Sequence, residues 1–133
     1  MKQDLQIGQS HTLTSTVDAA RTAEALAAQG EALPEVFATP FMIADLERAC
    51  AALLGPLLSD GEVSVGARIE VSHTAPTPIG GQISATATFT EQVGALYWFD
   101  VVAADAAGQI GKGRIARAIV DRARLMTTAA GRA

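Results

Sequence analysis

The stretch Val63-Ser64-Val65-Gly66-Ala67-Arg68-Ile69-Glu70-Val71-Ser72-His73-Thr74 alternates its residue types with a period of two. Val63, Val65, Ala67, Ile69, Val71 and His73 take one face, and Ser64, Gly66, Arg68, Glu70, Ser72 and Thr74 the other. That pattern predicts a strand with one buried side. On the C-terminal side, Pro76-Thr77-Pro78-Ile79-Gly80-Gly81 interrupts the alternation, as Pro and Gly do in connections. It resumes with Ile83, Ala85, Ala87 and Phe89 set against Gln82, Ser84, Thr86, Thr88 and Thr90. Gly94 opens a turn into a strand from Leu96 to Ala104, and Asp105-Ala106-Ala107-Gly108 leads into a last strand from Gln109 to about Arg122. Four consecutive strands on short turns predict an antiparallel sheet.

On the N-terminal side the period changes. Ile43, Leu46, Cys50, Leu53, Leu54 and Leu57 recur at spacings of three and four, the signature of an amphipathic helix of roughly four turns. Thr39-Pro40 is a natural start, since Thr caps open amides and Pro suits the first turn. Gly55-Pro56 ends or kinks the helix. Leu5 to Val17 is read as a further strand and Ala19 to Gln29 as a short Ala-rich helix. These elements give an α+β domain.

The chain has 133 residues, 49% of them hydrophobic and 18% charged, which fits one soluble domain spanning 1–133. No apolar run is long enough for a bilayer. Met1-Lys2-Gln3-Asp4-Leu5 lacks the apolar core of a signal peptide, so a cytoplasmic location is expected. A net charge of −4 argues against general nucleic-acid binding. Lys112, Arg114, Arg117, Arg122, Arg124 and Arg132 nevertheless make the C-terminal part locally basic, which suits either a solvated strand and tail or a small polyphosphate ligand. Cys50 is the sole cysteine, and with two scattered histidines it forms no metal signature. Its place in the apolar stripe reads as core. Gly111-Lys112-Gly113-Arg114-Ile115-Ala116 fits a loose G-x-G-x-x-A pattern, but only 17 residues follow it, too few for a dinucleotide-binding unit.

Three residues carry chemistry. Thr39 stands at the predicted helix start, where the positive dipole end favours a developing oxyanion; it equally suits an ordinary N-cap. Glu47 lies at the edge of the helix's apolar stripe, where a carboxylate needs a partner or rises in pKa, unless it reaches solvent or pairs with Arg48 or another surface base. His73 ends the inward face of its strand, next to the Pro-rich break, as a base or as a hydrogen-bonded structural imidazole.

Phe37-Ala38-Thr39-Pro40-Phe41-Met42, Leu46-Glu47-Arg48-Ala49-Cys50 and Val71-Ser72-His73-Thr74-Ala75 together resemble the fluoroacetyl-CoA thioesterase-like family of hotdog-fold enzymes. The resemblance is dense from Pro34 to Pro78 and weaker towards both ends. It implies a curved antiparallel sheet wrapped around a long helix and a homodimer with sheets joined edge to edge. It also implies hydrolysis of an acyl-CoA or carrier-bound thioester by a triad-like set of Thr39, Glu47 and His73. Gly66 matches a position whose backbone amide polarises the acyl carbonyl, and Arg117 a family arginine near the active-site end of the last strand; a bulge and a structural ion pair are the plainer alternatives. No cofactor is implied beyond the CoA of the substrate. Fluoroacetyl-selective members have a phenylalanine-rich lid, where this chain has Gly30-Glu31-Ala32-Leu33 before Pro34. A short or otherwise compact acyl group is therefore expected. The alternative is a module that binds an acyl-CoA or a small apolar ligand without turnover, which the fold permits. A hydratase would need Asp and His close together on one segment, and none surrounds His73.

Overall fold

The computed structural model describes residues 4–133, so the opening Met1-Lys2-Gln3 of the N-terminal reading lies outside it. Strand β1 (Ser10–Thr16) is followed by a single helical turn, α1 (Ala23–Leu26), and by the long helix α2 (Thr39–Leu54). Strands β2 (Glu62–His73), β3 (Gln82–Val93), β4 (Leu96–Asp105) and β5 (Gly108–Asp121) come next, and helix α3 (Arg122–Ala130) closes the chain. The strands form one antiparallel sheet in the order β1-β3-β4-β5-β2, which leaves β1 and β2 at its edges. No helix among the described residues is long and apolar enough to cross a membrane.

Helix α2 lies against the sheet because its apolar stripe has nowhere else to go. Met42, Leu46, Ala49, Cys50, Leu53 and Leu54 are buried with Leu57 against Ile83, Ala85, Ala87, Phe89, Phe99, Val101 and Ile115. Each large side chain so buried contributes about 2 kcal/mol. Ile43 is only half-buried, and Asp45 occupies a core position, 2% exposed. Gly55–Leu57 forms a 3₁₀ turn at the predicted break.

Three readings are corrected. The Ala-rich segment from 19 to 29 is not one helix: Thr22 is extended (φ −90°, ψ 159°), its hydroxyl donating to the Ala19 carbonyl and accepting from the Ala25 amide. A local side-chain bond there competes with the helix. The first strand covers Ser10–Thr16 rather than Leu5 to Val17. Strand β2 does not keep one face throughout, because its register with β5 shifts between Gly66 and Arg68. Ala67 is the extra residue of a β-bulge, and beyond it the faces exchange. Ser64 and Gly66 therefore share the inner side with Ile69, Val71 and His73, while Val63 and Val65 turn outward.

Close approach of β2 and β5 depends on Gly113. A Cβ at that position would stand 1.9 Å from the Glu70 carbonyl oxygen, so the strands could not keep their spacing. Gly113→Ala should therefore destabilise the fold by about 2–3 kcal/mol. Urea unfolding at an unchanged m-value checks this, and a midpoint equal to wild type would contradict it.

Candidate active site

The N-terminus of α2 and the C-terminus of β2 meet at one end of the sheet. Ala38, not Thr39, is the N-cap, and no side chain caps the helix there. Thr39 is the first helical residue, which frees its hydroxyl to lie 2.7 Å from His73 Nδ1. The sequence placed Thr39 at the helix start; its capping role is replaced by this bond to imidazole. The other ring nitrogen, His73 Nε2, is buried without a hydrogen-bond partner, and the Phe37 ring stands edge-on to the imidazole at 6.4 Å.

Thr39 and His73 line a cavity of ≈ 320 Å³ with Ala23, Pro34, Val36, Phe37 and the loop residues Thr74, Ala75 and Pro76. Most of this lining is apolar, and the polar groups converge on Thr39 and His73. Such a site suits a small apolar group attached to a reactive polar centre. The segment Gly30-Glu31-Ala32-Leu33 brings no aromatic ring to this region, and Leu33 is 40% exposed.

The loop after His73 is tied down at several points. Thr74 donates its amide to the Ile110 carbonyl, and Phe37 donates to that of Thr77. The buried Thr77 hydroxyl donates to Asp105 Oδ2 at 2.7 Å. That hydrogen bond holds the Asp105 carboxyl below its ordinary value, aided by the backbone amides of Ala107 and Gly108 and opposed by desolvation.

Glu47 is elsewhere. It lies eight residues beyond Thr39, about 12 Å along the helix. Its Oε1 accepts from Arg117 Nη1 at 2.9 Å, with the two side chains 26% and 11% exposed. Arg117 also donates to the Ser64 carbonyl and hydroxyl. Gly66 faces the same carboxylate: a Cβ there would lie 2.6 Å from Glu47 Oε1. Glu47, Gly66 and Arg117 thus form one cluster, and Thr39 with His73 another. Sequence reasoning located the five residues but not this division, which depends on the bulge in β2. Cys50 is core: burial pushes its thiol up to about 12, with Arg117 lowering and Glu47 raising it less strongly. Among the described residues no group of His, Cys, Asp or Glu could hold a metal ion.

Comparison with known proteins agrees with this architecture. The family model for fluoroacetyl-CoA-specific thioesterases matches residues 17–123. The fluoroacetyl-CoA thioesterase of Streptantibioticus cattleyicolor is 35% identical over 123 residues, covering 90% of this chain and 88% of that protein. A solved structure of the fluoroacetyl-CoA thioesterase FlK superposes with a TM-score of 0.93 at 30% identity, over 98% of this chain and 99% of that one. A hot-dog-like protein from Thermanaerovibrio acidaminovorans superposes with a TM-score of 0.84 at 25% identity, over 95% and 91% of the two chains. The sheet and its long helix are a hotdog fold.

The Thr77–Asp105 bond has a pH signature. A carboxyl whose folded-state pKa is depressed adds stability above its unfolded value, and that stability is lost as pH falls through the folded value. Asp105→Ala should melt below wild type at neutral pH, by a margin that narrows once pH drops under 3.8. Melting curves across pH check this; a margin that widens in acid would contradict it.

Proposed function

Because the chain belongs to the fluoroacetyl-CoA-specific thioesterase family of thioester hydrolases, we propose that it hydrolyses a short or compact acyl thioester of CoA, or of a carrier's phosphopantetheine arm, through Thr39 and His73. The 2.7 Å contact between Thr39 Oγ1 and His73 Nδ1 in the lining of the cavity carries this reading. It couples a hydroxyl to a base where a thioester carbonyl can enter.

In the proposed reaction, His73 Nδ1 takes the proton of the attacking oxygen, either the Thr39 hydroxyl or a water that it holds. A C–O bond forms at the thioester carbon while the carbonyl oxygen takes the electron pair. The positive end of α2 and the backbone amide of Gly66 of the partner subunit stabilise that oxyanion. Its collapse breaks the C–S bond, and the departing thiolate takes the proton from His73. On the Thr39 route a second attack, by water, releases the acid. An absent mass increase on Thr39 after rapid quench would rule that route out.

Glu47, Gly66 and Arg117 enter from a second copy in this proposal. Edge strand β2 is exposed from Gly66 to Glu70, with Ile69 at 47% exposure. Antiparallel pairing of two such edges about Glu70 keeps like faces together and, because of the bulge, sets His73 opposite Gly66 of the partner subunit. It brings the partner's Glu47 and the partner's Arg117 towards the same site. The absent phenylalanine lid favours compact acyl groups other than fluoroacetyl.

Thiol release from short, branched, aromatic and halogenated acyl-CoAs tests the activity. Wild type should turn over at least one ester, and Thr39→Ala, Glu47→Ala and His73→Ala should each lose a hundredfold or more with the fold and dimer intact. Full activity in His73→Ala would sink the mechanism. Mixing His73→Ala with Glu47→Ala tests the shared site: each parent is inactive, whereas subunit exchange should restore about a quarter of wild-type activity, since half the dimers then hold one intact site. No recovery on confirmed exchange would place all catalytic groups within one copy.

A further inference from the structure

Arg21 is absent from the reaction outlined above, yet its contacts converge on the immediate neighbours of the residues that carry it. Its Nη2 lies 2.6 Å from Oδ2 of Asp45, a carboxylate inside the α2 packing face that also accepts from the Ser15 hydroxyl at 2.9 Å. Nη1 donates to the Thr16 carbonyl. The guanidinium carbon stands 5.1 Å from the centre of the Phe37 ring and 5.9 Å from that of Phe41. The Arg21 carbonyl accepts from the amide of Ala38, the residue that precedes Thr39 and caps α2 without a side-chain bond. One residue therefore holds the entry to α2 by its carbonyl and the second turn of α2 by its charge, and places that charge over two aromatic rings.

The consequence lies at His73. Thr39 fixes one side of its imidazole, and Nε2 has no hydrogen-bond partner to fix the other. What stands beside the ring is the edge-on phenyl of Phe37, and over Phe37 lies the Arg21 guanidinium. We propose that Arg21, anchored by Asp45, is a positioning residue for hydrolysis, holding Phe37 and the start of α2 so that His73 Nδ1 stays aligned on Thr39 Oγ1. This rests on the reading of Thr39 and His73 as the reacting pair. Small misplacements of such a pair are expensive, up to about a hundredfold in rate for 1 Å.

Destabilisation and misalignment are separated by choosing substitutions that differ in the charge left behind. Arg21→Met leaves Asp45 buried and unpaired, so both stability and turnover should fall. Arg21→Met combined with Asp45→Leu removes both charges, and replacing a buried ion pair by apolar residues is often neutral or stabilising. The double variant should melt near wild type but keep kcat about tenfold down, with KM within twofold, because the cation on Phe37 is still missing. Arg21→Lys keeps the charge near Asp45 without the planar stacking surface and should restore part of kcat. Long-range ¹⁵N–¹H spectra of the two histidines give a readout independent of turnover. His73 should show one hydrogen-bonded state in wild type and a shifted or broadened one in the double variant, while His11 stays unchanged.

A double variant with wild-type kcat and an unchanged His73 spectrum would overturn the proposal, as would a rise in KM at constant kcat. The same assay on His73→Ala keeps the two ideas apart. If that variant is inactive while the double variant is fully active, only the positioning role of Arg21 fails. If His73→Ala is itself fully active, the reading of the reacting pair fails first.

Discussion

A single short bond joins the first residue of α2 to the last residue of β2. For the Thr39 hydroxyl to reach the His73 imidazole, the helix must begin where the strand ends, and both must be held at one end of the sheet. The rest of the fold meets that condition. The apolar stripe of α2 presses the helix on to the sheet, Gly113 lets β2 and β5 come close, and the loop from Thr74 to Gly81 is fastened at Ile110, Val17, Phe37 and Asp105. The helix surrenders a side-chain cap at Ala38, a sacrifice of about 1 kcal/mol, and the hydroxyl next to it becomes free for the imidazole.

Three polar clusters run along α2, and each finds its partner locally. Thr39 engages His73, Asp45 engages Arg21 and Ser15, and Glu47 engages Arg117 with Ser64 behind it. Buried charge survives in a core only when it is paired and hydrogen-bonded, and both carboxylates meet that requirement through an arginine from a different element. Arg114 behaves differently. It lies on the outer face of the sheet over Trp98, with Glu91 and Asp100 near it, so part of the basic character of the C-terminal region is balanced locally.

Much of this was legible in the residues. Periodicity placed α2 and strands β2 and β3, and turn residues marked off β4 and β5, although the repeat of β2 breaks at its bulge. The five candidate residues were named from short motifs around Thr39, Glu47 and His73 and from the matches at Gly66 and Arg117. What escaped were features that periodicity does not encode. Thr22 broke an Ala-rich helix through its side chain, and Asp45 entered a stripe expected to be apolar because Arg21, distant in sequence, was there to meet it. The Glu47–Arg117 pairing depends on which strand lies beside which. The sequence did carry one local sign of the bulge, Gly66 itself, although a glycine in a strand also serves close backbone approach.

The extra residue at Ala67 acts as a phase shifter. Upstream of it the even-numbered residues of β2 look towards the helix, and downstream the odd-numbered ones do, so one strand presents Gly66 and His73 to the same interior from opposite parities. A regular strand could serve only one of them. Any insertion or deletion of a single residue between these two positions would turn one of them to the other side of the sheet, however well the variant folded. Side chains along β2 can change without altering this phase, but its length between Gly66 and His73 cannot, so the spacing of seven belongs to the geometry of the strand and not to any one side chain.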